Sequence, residues 1–148
     1  LRDGEMNILA IDPGSEKSAF LCYDEEFGKI WAKGILCNGD VLDFVKTYPV
    51  GHVVIEMVQC FGMPVGQEVM DTAFWAGRFA QEATTFSLVY RKAIKLHLCG
   101  TTKAKDSNIR QALLDRWGKE ATKGIYKDVW SALAIATYFQ DKAATHAE

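Results

Sequence analysis

The sequence predicts an α/β fold: a five-stranded mixed sheet flanked by helices on both faces, with the first strand central. Three observations predict it. Three strand-like runs near the start are joined by connections of only a few residues, which suits an antiparallel meander. Two runs, residues 8–11 and 53–55, are apolar without alternation, as in strands covered on both faces. A helical segment lies between those two runs, which suits a parallel pairing through a crossover.

Residues 7–12, Asn-Ile-Leu-Ala-Ile-Asp, open the sheet, and Pro13-Gly14 turns the chain away from it. Residues 18–23 and 29–37 complete the meander around an acidic turn at 24–28. Asp40 is placed to cap a helix over 41–47, which Pro49 ends. Residues 51–58 form the fourth strand, and 59–66, with two glycines and a proline, form a loop. A helix follows over 67–84, with Val69, Ala73, Phe74, Ala76, Gly77 and Ala80 as its apolar stripe. A short strand over 85–90 completes the sheet, and residues 97–102 leave it as a loop. Residues 106–117 are helical with Ile109, Leu113 and Leu114 inward, and Gly118 stops them. The last helix, 126–139, packs through Trp130, Leu133, Ala134 and Tyr138, and the tail beyond 142 frays. Residues 1–5 are read as an N-terminal extension and 6–148 as a single domain, a length that suits one core.

Composition is that of a globular protein, 49% apolar and 24% charged. No apolar run approaches the ~20 residues a membrane span needs. Four cysteines, Cys22, Cys37, Cys60 and Cys99, lie far apart without CxxC spacing, which argues against a zinc site and for reduced thiols. The expectation is a cytoplasmic protein without membrane contact. Net charge is −2, but residues 91–127 carry ten basic side chains against three acidic ones. That +7 segment can contact phosphates, although a solvated helix face explains such a run as well.

Two buried strands each carry one unexpected carboxylate, Asp12 and Glu56. Burying an isolated carboxylate is costly, so such groups are paired, protonated or bound to a cation. If the two strands are parallel neighbours, both acids sit at the same end of the sheet and form an all-oxygen site suited to Mg²⁺ or Mn²⁺. Asp before Pro-Gly is also a common turn residue. Asp128, placed in the first turn of the last helix, is a third candidate, and the helix dipole alone accounts for an acid there. Asp106 is a fourth, with a helix N-terminus as its ordinary explanation. His52 and His97 have no partner at metal-ligand or dyad spacing and are read as structural.

These residues carry a resemblance. Asn7-Ile8-Leu9-Ala10-Ile11-Asp12-Pro13-Gly14, Val54-Ile55-Glu56 and Asp128-Val129-Trp130-Ser131-Ala132-Leu133-Ala134-Ile135-Ala136 resemble the motifs of the RuvC Holliday junction resolvases, and residues 103–113 resemble that family's lysine-bearing segment. The length and Lys-Asp-Ser-Asn-Ile-Arg at 105–110 resemble the phage-encoded branch. The resemblance implies a ribonuclease H-like fold over 6–148, a homodimer, and Mg²⁺-dependent cleavage of four-way DNA junctions by paired nicks. Asp12, Glu56 and Asp128 match metal-binding, catalytic positions. Ser131 stands where the family has Asp, and Asp106 is expected to help replace that ligand. Two divalent ions about 4 Å apart, Mg²⁺ with Mn²⁺ as substitute, would activate water and stabilise the attacking and leaving oxygens. Lys103, Lys105 and Arg110 are the expected phosphate contacts, and Phe61 is the expected aromatic that stacks on junction bases. Met63, Trp75 and Phe79 are candidates for the dimer face.

Other classes fit parts of the pattern. One is a ribonuclease H-like nuclease acting on other branched DNA or RNA. Another is a junction-binding module without catalysis, which Ser131 would permit. Asp12-Pro13-Gly14-Ser15 also resembles the first phosphate loop of actin-like ATPases, but 148 residues leave no room for the second domain those proteins need.

Overall fold

The computed structural model describes residues 7–26 and 28–147, with side chains described as far as residue 145. The expected extension at 1–5 lies outside the described residues. Strands β1 (Asn7–Asp12), β2 (Lys17–Asp24) and β3 (Lys29–Cys37) are followed by α1 (Asn38–Thr47), β4 (His52–Glu56), α2 (Gln67–Glu82) and β5 (Phe86–Val89). Three helices close the chain: α3 (Arg91–Cys99), α4 (Asp106–Ala121) and α5 (Val129–Ala147). The strand order is β3-β2-β1-β4-β5. β1 pairs antiparallel with β2 and parallel with β4, and β4 pairs parallel with β5. The first strand is therefore central, as its apolar run predicts.

Period-two alternation divides each central strand between two cores. Ile8, Ala10 and Val54 face a core built with α3, α4 and α5, whereas Leu9, Ile11, Val53 and Ile55 face one built with α1 and α2. That division is why β1 and the centre of β4 are apolar on both sides. Helix α5 is buried almost all round from Ala132 to Thr137, which accounts for its lack of a polar face over that stretch. Its one polar member there is satisfied. The Thr137 hydroxyl donates to the Leu133 carbonyl at 2.7 Å and accepts from the Trp117 indole at 3.0 Å.

Several boundaries differ from expectation for identifiable reasons. Helix α1 starts at Asn38, so Asp40 lies in its first turn and caps nothing. Residues 91–99, of which the last three are expected in a loop, form α3. Its register is set by Ile94 and Leu98, and Gly100 closes it with φ +76°. On α2 the inward side chains are Ala76 and Phe79, whereas Phe74 is 62% exposed and Gly77 faces solvent. Phe79 is thus a core residue, not part of a dimer face. Trp75 is half-buried under the Arg78 guanidinium, 4.4 Å from the ring centre. Gly118 does break the helical backbone, but another short turn follows it to Ala121. Helix α5 starts at Val129, three residues late, and runs through the predicted frayed tail to Ala147.

A buried polar clamp fixes the turn that follows Asp12. The Ser18 hydroxyl donates to Asn38 Oδ1 at 2.5 Å and accepts from the Gly14 N–H at 3.1 Å. Asn38 Nδ2 donates to the Gly14 carbonyl at 2.9 Å. Gly14 is required here because an added Cβ would stand 2.2 Å from the Lys17 carbonyl oxygen. Asn38→Ala leaves both the Ser18 hydroxyl and the Gly14 carbonyl short of a partner. It is expected to lower the unfolding free energy by about 1–3 kcal/mol, read as a lower urea midpoint at unchanged slope.

Candidate metal and nucleic-acid site

Asp12 and Glu56 end adjacent parallel strands, one step beyond the paired Ile11 and Ile55. Asp12 follows the alternation of Ile8 and Ala10, and Glu56 that of Val54. Both carboxylates therefore lie on the sheet face covered by α3, α4 and α5. They share a side-chain hydrogen bond. Burial and then repulsion from Glu56 and Asp128 hold the Asp12 carboxyl far above the usual carboxylate range, at about 8, against the opposing pull of Arg91. Burial also raises Glu56, with Arg91 pulling it down. Burial and mutual repulsion thus both favour protonation at this end of the sheet.

Asp128 directly precedes α5, not inside its first turn as expected, and its carbonyl accepts the Ala132 N–H at 3.2 Å. Lys127 before it has φ +45°, and it is the only non-glycine residue with positive φ among those described. That left-handed residue turns the chain into the helix beside the carboxylates. Asp128 lines two adjoining clefts. One also holds Asp12, and the other holds Glu56, Arg91, Asp106, Arg110 and Ser131.

Asp106, the expected substitute ligand, is 81% exposed and accepts a hydrogen bond from Arg91. Arg91 also approaches Glu56, with Nη1 3.5 Å from Oε1. In the sequence, Arg91 stands only as one of the ten basic residues of 91–127. Its place at the start of α3, directly after the last sheet strand, was hidden because α3 itself was not recognised. Among the described residues, no three acidic, histidine or cysteine side chains converge on one point as a ready metal cage. The donor set still fits a hard divalent cation. Asp12 and Glu56 are oxygen donors whose shared proton such an ion would replace, and Asp128 stands beside them.

The nucleic-acid candidates divide. Arg110 lines the carboxylate cleft, with its guanidinium 5.5 Å from the centre of the Trp130 ring. Phe61 is 59% exposed in the loop after β4, which excludes a place in the core, and Lys92 Nζ sits 3.6 Å above its ring. With Met63, Val65 and Lys95 they line a groove that opens from Glu56 and Arg91. Lys103 and Lys105 are exposed before α4, and neither lines either of these clefts. His52 hydrogen-bonds Thr85 and Ser87 at the opposite end of β4, and His97 pairs with Asp141, so both stand apart from the carboxylates.

The sheet order and its helices define a ribonuclease H-like fold. No protein-family model matches the chain, and no curated protein sequence matches it. Solved structures do. Thermus thermophilus RuvC superposes with a TM-score of 0.73 at 20% identity, over 95% of this chain and 97% of that one. T. thermophilus RuvC in complex with a Holliday junction substrate gives 0.71 at 18% identity, over 95% and 96%. The likeness is one of fold.

Because Asp12 binds its proton more tightly folded than unfolded, the stability it confers is complete below 3.8 and is lost as pH rises towards about 8. Thermal unfolding in EDTA should therefore show a melting temperature that falls across this window. Saturating Mg²⁺ should remove most of that fall, and Asp12→Asn should flatten it without metal.

Proposed function

We propose that this protein is a divalent-metal-dependent endonuclease that cuts branched DNA, with four-way junctions as its principal substrate. The observation that carries the reading is the pair of largely buried carboxylates Asp12 and Glu56 ending adjacent central strands, with Asp128 beside it and Arg91, Arg110 and Lys127 lining the same cleft. Support comes also from the fold shared with T. thermophilus RuvC, one structure of which is in complex with a Holliday junction substrate. Lys105–Arg110 is the reason to place the chain in the phage-encoded branch, and the free cysteines suit a cytoplasmic protein.

Asp12, Glu56 and Asp128 would hold Mg²⁺, or Mn²⁺ in its place. The ion would supply Lewis acidity and a water of lowered pKa for attack on the phosphodiester. The remaining work falls to the chain. The clamp of Ser18, Asn38 and Gly14 holds the turn after Asp12, so its carboxylate keeps one position. Arg110 offsets phosphate charge inside the cleft, and Lys103 and Lys105 do so outside it. Phe61 offers a ring face to an unpaired base at the branch point, a contact worth about 1–3 kcal/mol. Paired nicks on a symmetric junction need two sites related by a two-fold axis, so the active form in this reading is a homodimer. Met63, exposed beside the groove, and Met70 and Phe74, exposed on α2, are the apolar side chains available to such a contact.

Four-way, three-way, flap and linear duplex DNA should be compared with Mg²⁺ and with Mn²⁺. The expected result is symmetric nicking of the four-way junction and none with Asp12→Asn. Tight junction binding without nicking by the wild type would instead identify a binding module, and preference for another substrate would identify a sister nuclease.

The Lys103→Ala/Lys105→Ala double variant should weaken binding evenly across junction sequences. It should reduce the slope of log K against log salt by about 2, measured by fluorescence anisotropy. An unchanged slope would remove both lysines from the interface.

A further inference from the structure

Arg91 occupies an unusual place for a cation. It is the first residue of α3, and its guanidinium spans two acids that chain topology brings from different elements, Glu56 at the end of β4 and Asp106 at the start of α4. Nη1 lies 3.5 Å from Glu56 Oε1, and Nη2 donates to Asp106 Oδ1. The same guanidinium also exerts its charge on Asp12. Across this cleft, α5 itself offers the uncharged Ser131 and Ala134, while Lys127 and Asp128 line it just before the helix and Arg110 lines it from α4.

We infer that the Arg91 guanidinium is a built-in cation of this site, standing between Glu56 and Asp106 where a second divalent ion would otherwise bind, so that each chain takes up one ion and not two. This rests on the metal-dependent reading above. Asp12, Glu56 and Asp128 are the acids that would hold one ion without drawing on Asp106, the hydrogen-bond partner of Arg91. A second ion on the Glu56–Asp106 side would have to displace the guanidinium from both oxygens, or sit against a like charge within a few ångströms. Ser131 and Ala134 on α5 carry no charge, and with Asp128 engaged by the first ion no other carboxylate of the cleft would offset that repulsion. Arg91 is thus a positioning residue: it acts through Glu56 and Asp106, holding α3 and α4 against the end of the sheet.

Bound Mn²⁺ can be counted without DNA, from the loss of the free aqueous ion's electron paramagnetic resonance signal during titration. Wild type is expected to bind one Mn²⁺ per chain, Arg91→Lys one, and Arg91→Gln two. Adding Asp106→Asn to Arg91→Gln should return the count to one, whereas Asp106→Asn alone should leave it at one. Circular dichroism melting of each variant confirms that the counts come from folded protein. Two ions in the wild type would overturn the inference and leave the metal-dependent reading standing. One ion in folded Arg91→Gln would also overturn it. No ion in the wild type would overturn both, so the two failures are distinguishable.

Discussion

Two acidic side chains at neighbouring ends of the two innermost strands are the constraint around which this molecule is arranged. The cost of burying them is set by the low dielectric of a sheet covered on both faces. The protein answers with local devices: a proton shared between Asp12 and Glu56, a guanidinium from α3, and access to water through the clefts beside Asp128. None of these contributes to a conventional core, and each lies at a helix start or strand end. Stability is supplied elsewhere, by the two apolar layers that sandwich β1 and β4. The division resembles that of many functional sites, where unfavourable charge persists because the surrounding packing holds it in place.

The central features were legible because their physics is local. An uninterrupted apolar run means burial on both faces, so Ile8–Ile11 and Val53–Ile55 announced the inner strands, and a carboxylate ending such a run announced itself. The antiparallel meander followed from short connections, and the parallel β1–β4 pair from the helix between them. What stayed hidden depends on contacts between distant segments. Helix α3 carries Lys92, Lys95 and His97 among few large apolar residues, so its helical pattern reduces to Ile94 and Leu98, and neither shows that Arg91 turns towards Glu56. The outward Phe74 follows the same logic. It belongs to an apolar stripe by composition, yet the register set by Ala76 and Phe79 rotates it to solvent. Asn38 falls between the predicted third strand and first helix, and nothing local shows that its side chain ties α1 to the turn after Asp12.

Charge distribution ties the site to its surroundings. A chain of net negative charge gathers ten of its 17 basic residues between positions 91 and 127, and the fold delivers that segment to the face carrying the two acids. Arg91 and Arg110 reach the carboxylate cleft itself, and Lys92 and Lys95 border the groove that leads away from it past Phe61. Cations and acids are thus interleaved in the cleft, where Arg91, Arg110 and Lys127 stand among Glu56, Asp106 and Asp128. In the function proposed above, these cations would offset the repulsion between a phosphate backbone and the carboxylates.

Helix α5 has a consequence that reaches beyond its own packing. Ala132 and Ala136 are buried on the face that carries Phe139, whose ring stacks on His52 of β4, and Asp128 is attached directly to the helix's first residue. The gap between that carboxylate and the pair on β1 and β4 is consequently gauged by methyl groups several ångströms away. A larger side chain at either of these alanines would wedge the rod outward and swing Asp128 with it, changing the spacing of the three acids without altering any of them.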